Sequence, residues 1–373
     1  MKEWIDEQTK RTVRQLTDFP RGAGLGYFRY PKQVPGGWIF AREYGEGNPI
    51  LIEPESGEVQ VRKLPGMYPL KMRESDGQMW YVQRNAREIW TVRLPDGTPE
   101  LAATLPLGLP GYPTDITCDG RTVIFHDVVQ DLRQYPIPTT KDVRAFWHYF
   151  SRPRNGRIWA YDLLTGKLTR LVESFDLAFS HEDTSPTDPG LIKFCQDMFD
   201  GLGQRVWTVR VDGSGLTPIR PQEVYEVVTH EFWWPGGQYI GYTYQDRRGD
   251  PTFYQLPWCE YAPTPTRLGI ARLDGTECYL SDPLNSYHSH IYVSPDGKWV
   301  SGEGTDGHCF VYVAPFSWET TRIEMVPLAS IHATYVPFRG QHVECNFSAD
   351  SRWLLFNAWI EGKWQICEVR VEM

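Results

Sequence analysis

The stretch Ser294-Pro295-Asp296-Gly297, followed by KWVSGEG over residues 298–304, reads as a tight turn opening a short apolar strand. Proline presets the backbone of such a turn, aspartate bonds its own main chain, and glycine takes a left-handed conformation at no steric cost. The unit recurs. Working outward, Val34-Pro35-Gly36-Gly37 precedes WIFAREY, Ser75-Asp76-Gly77 precedes QMWYVQR, and Cys118-Asp119-Gly120 precedes RTVIFHD. Ser185-Pro186-Thr187-Asp188-Pro189 precedes GLIKFCQ, Trp234-Pro235-Gly236-Gly237 precedes QYIGYTY, and Ser348-Ala349-Asp350-Ser351 precedes RWLLFNA.

Each of these seven units offers a third strand after the second: Ile50–Ile52, Ile89–Val92, Ile158–Tyr161, Val206–Val209, Leu268–Ala271, Phe310–Ala314 and Gln365–Val369. A further glycine-containing turn and a short fourth strand, such as LTRLV from Leu168, usually follow. Four strands per unit at intervals of roughly 40 to 70 residues is the sequence form of a propeller blade. The expectation is an all-β, seven-bladed β-propeller of four-stranded antiparallel blades, with residues 1–373 as one domain. A ring of six or eight blades, or an open pair of sheets, is the competing architecture. Two units are long, with insertions at about 128–156 and 247–266 that are expected to cover a binding face. Arg11–Thr17 (RTVRQLT) resembles a lone fourth strand, which would pair with the last three near Met373 and close the ring by an N-terminal strand.

The composition suits this reading. Fifteen Trp, 20 Tyr, 33 Gly and 29 Pro in 373 residues indicate many short strands and tight turns. A net charge of −9 disfavours nucleic acid as a partner, and an anionic ligand would need a local basic pocket. No apolar run is long enough for a membrane span or a secretion signal, so the expected location is the cytoplasm and no membrane partner is expected. Seven scattered cysteines without paired spacing argue against a disulfide framework or a zinc knot.

In a propeller the strand before each turn is innermost and lines the central channel. Four positions before the turn stand His181, His230, His290 and Glu344 in blades four to seven, and six positions before it stand His288 and His342. By the two-residue period of a strand, these would share one face. Five of the nine histidines occupy these positions, which sets them apart from scattered, water-satisfied imidazoles. With Gln341 nearby, they form a nitrogen and oxygen donor set suited to Mn²⁺, Zn²⁺ or Fe²⁺. The many tryptophans read as packing between blades, with Trp233 and Trp234 as the two that could face a sugar.

The run HEDTSPTDPGLIKFCQD from His181, then QRVWTVRVDGSGLTPI from Gln204, then THEFWWPGG from Thr229, resembles the oligogalacturonate lyases in order, spacing and content. That resemblance implies a metal-dependent lyase that cleaves short pectin fragments by β-elimination, with Mn²⁺ as the cofactor and a small acidic oligosaccharide as the partner. It implies His230 as the general base and Arg205 as the group that holds and polarises substrate. Metal ligands would come from His288 or His290 and from Gln341, His342 and Glu344, while His181 and Gln196 would contact substrate. The chain departs from the family where His342-Val343-Glu344 replaces His-x-His, where Arg339 takes the strict position of the ligating glutamine, and where Gln196-Asp197 replaces His-Glu. A lyase for another uronate-containing sugar, or a non-catalytic propeller that binds a partner, are the alternatives. No Gly-x-Ser-x-Gly elbow marks an attached hydrolase.

Overall fold

In the Ser294–Gly297 turn, the Ser294 hydroxyl bonds an Asp296 carboxylate oxygen at 2.6 Å and accepts the Trp299 amide at 2.9 Å, while Gly297 has φ +70°. Ser348-Ala349-Asp350-Ser351 repeats this with the Ser348–Asp350 bond at 2.6 Å, and Ser351 takes the left-handed position at φ +61°. The turn is thus a local structure written by Ser, Asp and a residue tolerant of positive φ. Each turn sends the chain from an innermost strand into the middle of a sheet.

The computed structural model describes residues 1–27, 32–64, 67–83, 87–128, 156–174, 179–196, 203–249, 265–285, 288–304, 310–331 and 343–372. The greater part of both long insertions, together with Gln341 and His342, lies outside these residues. Seven antiparallel sheets follow one another along the chain. Blade four, for example, runs Phe179–Thr184, Leu191–Gln196, Val206–Arg210, Thr217–Pro218, and blade five runs Glu226–Trp233, Tyr239–Asp246, Arg267–Arg272, Glu277–Leu280. All seven expected third strands are present, from Pro49–Glu53 in blade one to Lys363–Arg370 in blade seven.

Blade seven is closed from the other end of the chain. Asn346–Phe347, Trp353–Ile360 and Lys363–Arg370 pair in order, then Thr12–Gln15 adds a fourth strand through Val13↔Val369, and Lys2–Ile5 adds a fifth. The sequence anticipates the fourth strand and misses the fifth, because KEWI carries little apolar pattern and is mostly exposed.

The core lies between blades. Seven apolar clusters among the described residues each join one blade to the next, including Leu16, Ile39 and Ile50 of the chain's start against Leu355 and Ile366 of its end. Seven sheets with seven interfaces make a closed ring of seven blades. Tryptophans pack here as expected, and some lie under arginine, as Trp353 does under Arg14 at 5.0 Å. Trp234 is buried between blades five and six, and the Trp233 indole donates to the Asp183 carbonyl at 3.2 Å. Trp234 therefore acts as packing, which corrects the reading of it as a face for a sugar, while Trp233 bridges to blade four and stays partly exposed.

Candidate active site

The innermost strands are not regular. Each strand pairing shifts register, between Ser180 and Asp183 in blade four, Thr229 and Phe232 in blade five, and His288 and Ile291 in blade six. At these bulges the backbone of His181 has φ +56° and that of His230 φ +52°, and in blade seven Glu344 has φ +56°. An extra residue in a strand bends it and re-aims the side chains beside it. The same position in three blades therefore leaves the sheet pattern and is turned toward a shared site.

Two buried constellations result. In the first, His290 Nδ1 lies 3.0 Å from a Glu303 carboxylate oxygen, and Glu303 also accepts the Cys345 amide at 3.3 Å. Ligand atoms of His290, Glu303 and Glu344 lie within 4.8 Å of one another, and all three residues are buried. Burial opposes the protonated form of His290, yet Glu303 and Glu344 outweigh it and its pKa is raised. Lys32, buried beside them, donates to the Tyr27 carbonyl at 2.8 Å. Burial depresses its pKa to about 8 against the pull of Glu344, Glu74 and Glu303.

In the second, His181 Nδ1 lies 3.1 Å from Glu231 Oε1 and 3.8 Å from the Cys195 sulfur. Arg205 Nε stands 3.7 Å from Glu231 Oε2, and Lys193 Nζ stands 3.8 Å from Oε1. Lys193 also reaches Asp183 at 3.4 Å, and Asp183 takes Lys71 at 3.0 Å. Burial would raise the Glu231 carboxyl, but Lys193, His181 and Arg205 hold it well below its ordinary range. The Cys195 thiol is pushed well up by burial and is no nucleophile.

Tyr27 joins the two, and His230 sits against the first. The His230 ring meets that of His290 edge to face at 4.4 Å between centroids, and Tyr27 contacts both His290 at 5.4 Å and His181 at 5.6 Å. His230 and His181 are half-buried and so reachable, whereas His290, Glu344 and Arg205 are buried. The His230 imidazole, the Arg205 guanidinium and the His290–Glu303–Glu344 cluster are thus all borne on blades four to seven.

His288 does not share that placement. Its ring packs against Tyr312 at 4.9 Å and lies over Gly302, where an added Cβ would come within 2.6 Å of its Nδ1. The expectation that His288 and His290 share a face assumed unbroken alternation, and the bulge between them breaks it. The Gln196 amide oxygen accepts the Trp207 indole at 3.1 Å, which ties it to its own blade.

Glu231, Glu303, Tyr27 and Lys193 belong to the site and were not singled out from the sequence. A signal for Glu231 existed: His181-Glu182 and His230-Glu231 repeat a dipeptide at one blade position. Each glutamate reaches back to a histidine of the preceding blade, Glu182 to His126 at 2.7 Å and Glu231 to His181. Glu303 and Tyr27 carry no such mark, since they come from a middle strand and from the first blade.

The donor set fits a divalent cation. Two oxygen donors with one imidazole nitrogen suit a first-row metal, whose charge would add to that of Lys32 in offsetting the two buried carboxylates.

No family model matches the chain. It is 24% identical over 302 residues to an oligogalacturonide lyase of Pectobacterium atrosepticum, covering 78% of this chain and 73% of that protein. An oligogalacturonate lyase of Dickeya dadantii is 24% identical over 77% of this chain and 73% of its own. Among solved structures, an oligogalacturonate lyase in complex with manganese superposes with a TM-score of 0.77 at 20% identity, over 100% of this chain and 96% of that one. A hydrazine synthase of Kuenenia stuttgartiensis superposes with a TM-score of 0.56 at 12% identity over 95% of this chain and 97% of its own, so the fold alone does not separate activities. In sequence over most of its length, and in fold over all of it, this chain resembles the oligogalacturonate lyases.

Proposed function

We propose that this protein is a metal-assisted lyase that cleaves short oligogalacturonides by β-elimination, leaving a 4,5-unsaturated uronate at the new end. The observation that carries the reading is the His230 ring set against His290, whose partners Glu303 and Glu344 complete a buried donor cluster. The reaction removes the proton α to a uronate carboxylate and expels the 4-linked oxygen. His230 takes that proton, as imidazole is the side chain that accepts one near neutral pH. Arg205 offers planar paired donors to a uronate carboxylate, and Glu231 with Lys193 behind it sets the guanidinium's position. His181, held by Glu231 on the same wall, contacts the sugar.

His290 and Glu344, with Glu303 beside them, would hold the ion, and Gln341 and His342 complete the proposed set. When bound, a divalent cation supplies positive charge to a uronate carboxylate and so acidifies the neighbouring C–H. Manganese is the ion proposed, on the mixed nitrogen and oxygen donors and on the manganese in the similar lyase structure. Glu344, standing where the resemblance expects a second imidazole, adds a negative charge to that set. A cytoplasmic setting is proposed as well, in keeping with the free Cys118, Cys195, Cys278, Cys345 and Cys367.

The test is ultraviolet absorbance of the unsaturated product from digalacturonate. Activity should vanish with a chelator and return with Mn²⁺. His230→Asn, which tolerates the left-handed backbone, should lower kcat by roughly 10²–10⁴-fold while metal content stays at the parent level. A parent enzyme indifferent to chelation, or a His230→Asn enzyme at full rate, would overturn the assignment.

A further inference from the structure

Beside the donor cluster, on the walls of blades one and two, lies a cavity of about 370 Å³. Its size is in the range of small-molecule sites. Glu344 of the donor cluster and Lys32 beside it line the cavity, and so do Arg42, Tyr44, Tyr68, Met67 and Met72. It is therefore continuous with the proposed reaction centre. Tyr27, which touches His290 and His181, also lines it, whereas Arg42, Tyr44 and Tyr68 have had no part in the chemistry described so far.

Its chemistry selects an acidic sugar. The protein as a whole carries a net charge of −9, yet this cavity gathers Lys32, Arg42 and Lys71 against one carboxylate, Glu344. Lys71 is engaged by Asp183 at 3.0 Å and Asp115 at 3.4 Å, so it is a charge of the wall more than a hand for a ligand. Arg42 is placed differently. Among the described residues its one recorded side-chain hydrogen bond is from Nη2 to the Met67 carbonyl at 3.0 Å, and it is only partly buried. A guanidinium has five N–H donors, so donors remain for a bidentate bond to a carboxylate. Burial and Glu344 push the Tyr44 phenol above its ordinary range, which keeps it a neutral hydroxyl donor. Tyr44 and Tyr68 add ring faces of the kind that cover the C–H side of a pyranose.

We infer that this cavity is a subsite for a further uronate unit of the substrate, whose carboxylate is read by Arg42. The inference rests on the proposed lyase function and extends it from which bond is cleaved to how many sugar units are gripped. A chain one unit longer than the minimal substrate would gain an anchor away from the scissile bond.

The test is calorimetric binding of digalacturonate and trigalacturonate, with Mn²⁺ present, to the full chain carrying His230→Asn. The same two ligands are then titrated into that chain with Arg42→Ala, Arg42→Lys or Gly26→Leu added. Gly26 lines the cavity, has no atom within 4 Å of a notional Cβ, and so accepts a side chain that takes up its space without altering charge. The trimer should bind about tenfold more tightly than the dimer, Arg42→Ala and Gly26→Leu should erase most of that ratio, and Arg42→Lys should restore part of it. Because the readout is a ratio within one protein, general damage to the fold cancels. An unchanged ratio in Arg42→Ala and Gly26→Leu, with the parent active as a lyase, would overturn the subsite and leave the function standing. A parent that neither binds nor cleaves either ligand would overturn the function and the subsite with it.

Discussion

His181, His230 and Glu344 hold backbone angles that non-glycine residues rarely adopt, at a cost of on the order of 1 kcal/mol or more each. Such strain persists only where neighbouring strands over-determine the chain, and it collects where a side chain must leave the sheet's two faces. His288 shows the opposite fate of an imidazole two residues from His290. Burial depresses its pKa to about 3, with Glu303 opposing, so it is neutral in the fold. In the unfolded chain it protonates at about 6.5. Its contribution to stability is thus fully present above about pH 6.5 and is lost as pH falls from there toward 3, at roughly 1.4 kcal/mol per pH unit. His288→Gln should flatten this loss, and urea unfolding of both proteins at pH 7 and pH 5 measures it. Equal losses in the two would show that His288 is not the buried neutral group described.

Strand by strand, the decisive feature is the bulge on the inner edge of blades four, five and six. It carries two residues out of alternation, so that His230 faces the site while Glu231, next in the chain, turns to the blade-four side to meet His181, Arg205 and Lys193. A regular strand would also send neighbours to opposite faces, but it could not give His288 and His290 separate surroundings. Glu231 and Lys193 are fully buried, and truncating one such partner strands the other's charge at about 3–5 kcal/mol. Glu231→Gln and Lys193→Met should each destabilise strongly, and the double variant should cost less than the two together by about 1–3 kcal/mol. Thermal or urea unfolding of the four proteins checks this cycle; additive losses would mean that the two charges are not coupled. The His-Glu dipeptide shared by blades four and five was a legible trace of this arrangement, whereas the partner of each glutamate was not, since it sits a blade away.

The ring holds because each blade buries its faces against two neighbours, and the last interface is made by chain ends far apart in sequence. Val13 is fully buried there, paired with Val369 and packed with Val343 and Leu354. Val13→Asp would place an unpaired charge in that interface and free the edge of Lys363–Arg370, an open template for pairing with another chain. We expect a loss of at least about 3 kcal/mol by urea unfolding and self-association above that of the parent by light scattering. A variant as stable and as monodisperse as the parent would show that closure contributes nothing. The closed ring also makes a site possible at all, since it brings Tyr27 of the first blade against His181 and His290 of the fourth and sixth.

Turn chemistry and strand periodicity are local, and they announced seven blades, their middle strands, the closing strand and the blade position from which His181, His230, His290 and Glu344 project. Each of those features depends on residues within a few positions of one another. Which neighbour each side chain would meet depended on bulges and on contacts between blades, where small changes of backbone angle redirect whole side chains. Hence His288 turned into packing, Trp234 became core, and Glu231, Glu303, Tyr27 and Lys193 entered the site unannounced. Burial then set the charge states of His288, Lys32 and Glu231, because an ionisable group responds to the solvent and the charges around it in space and not to its place along the chain.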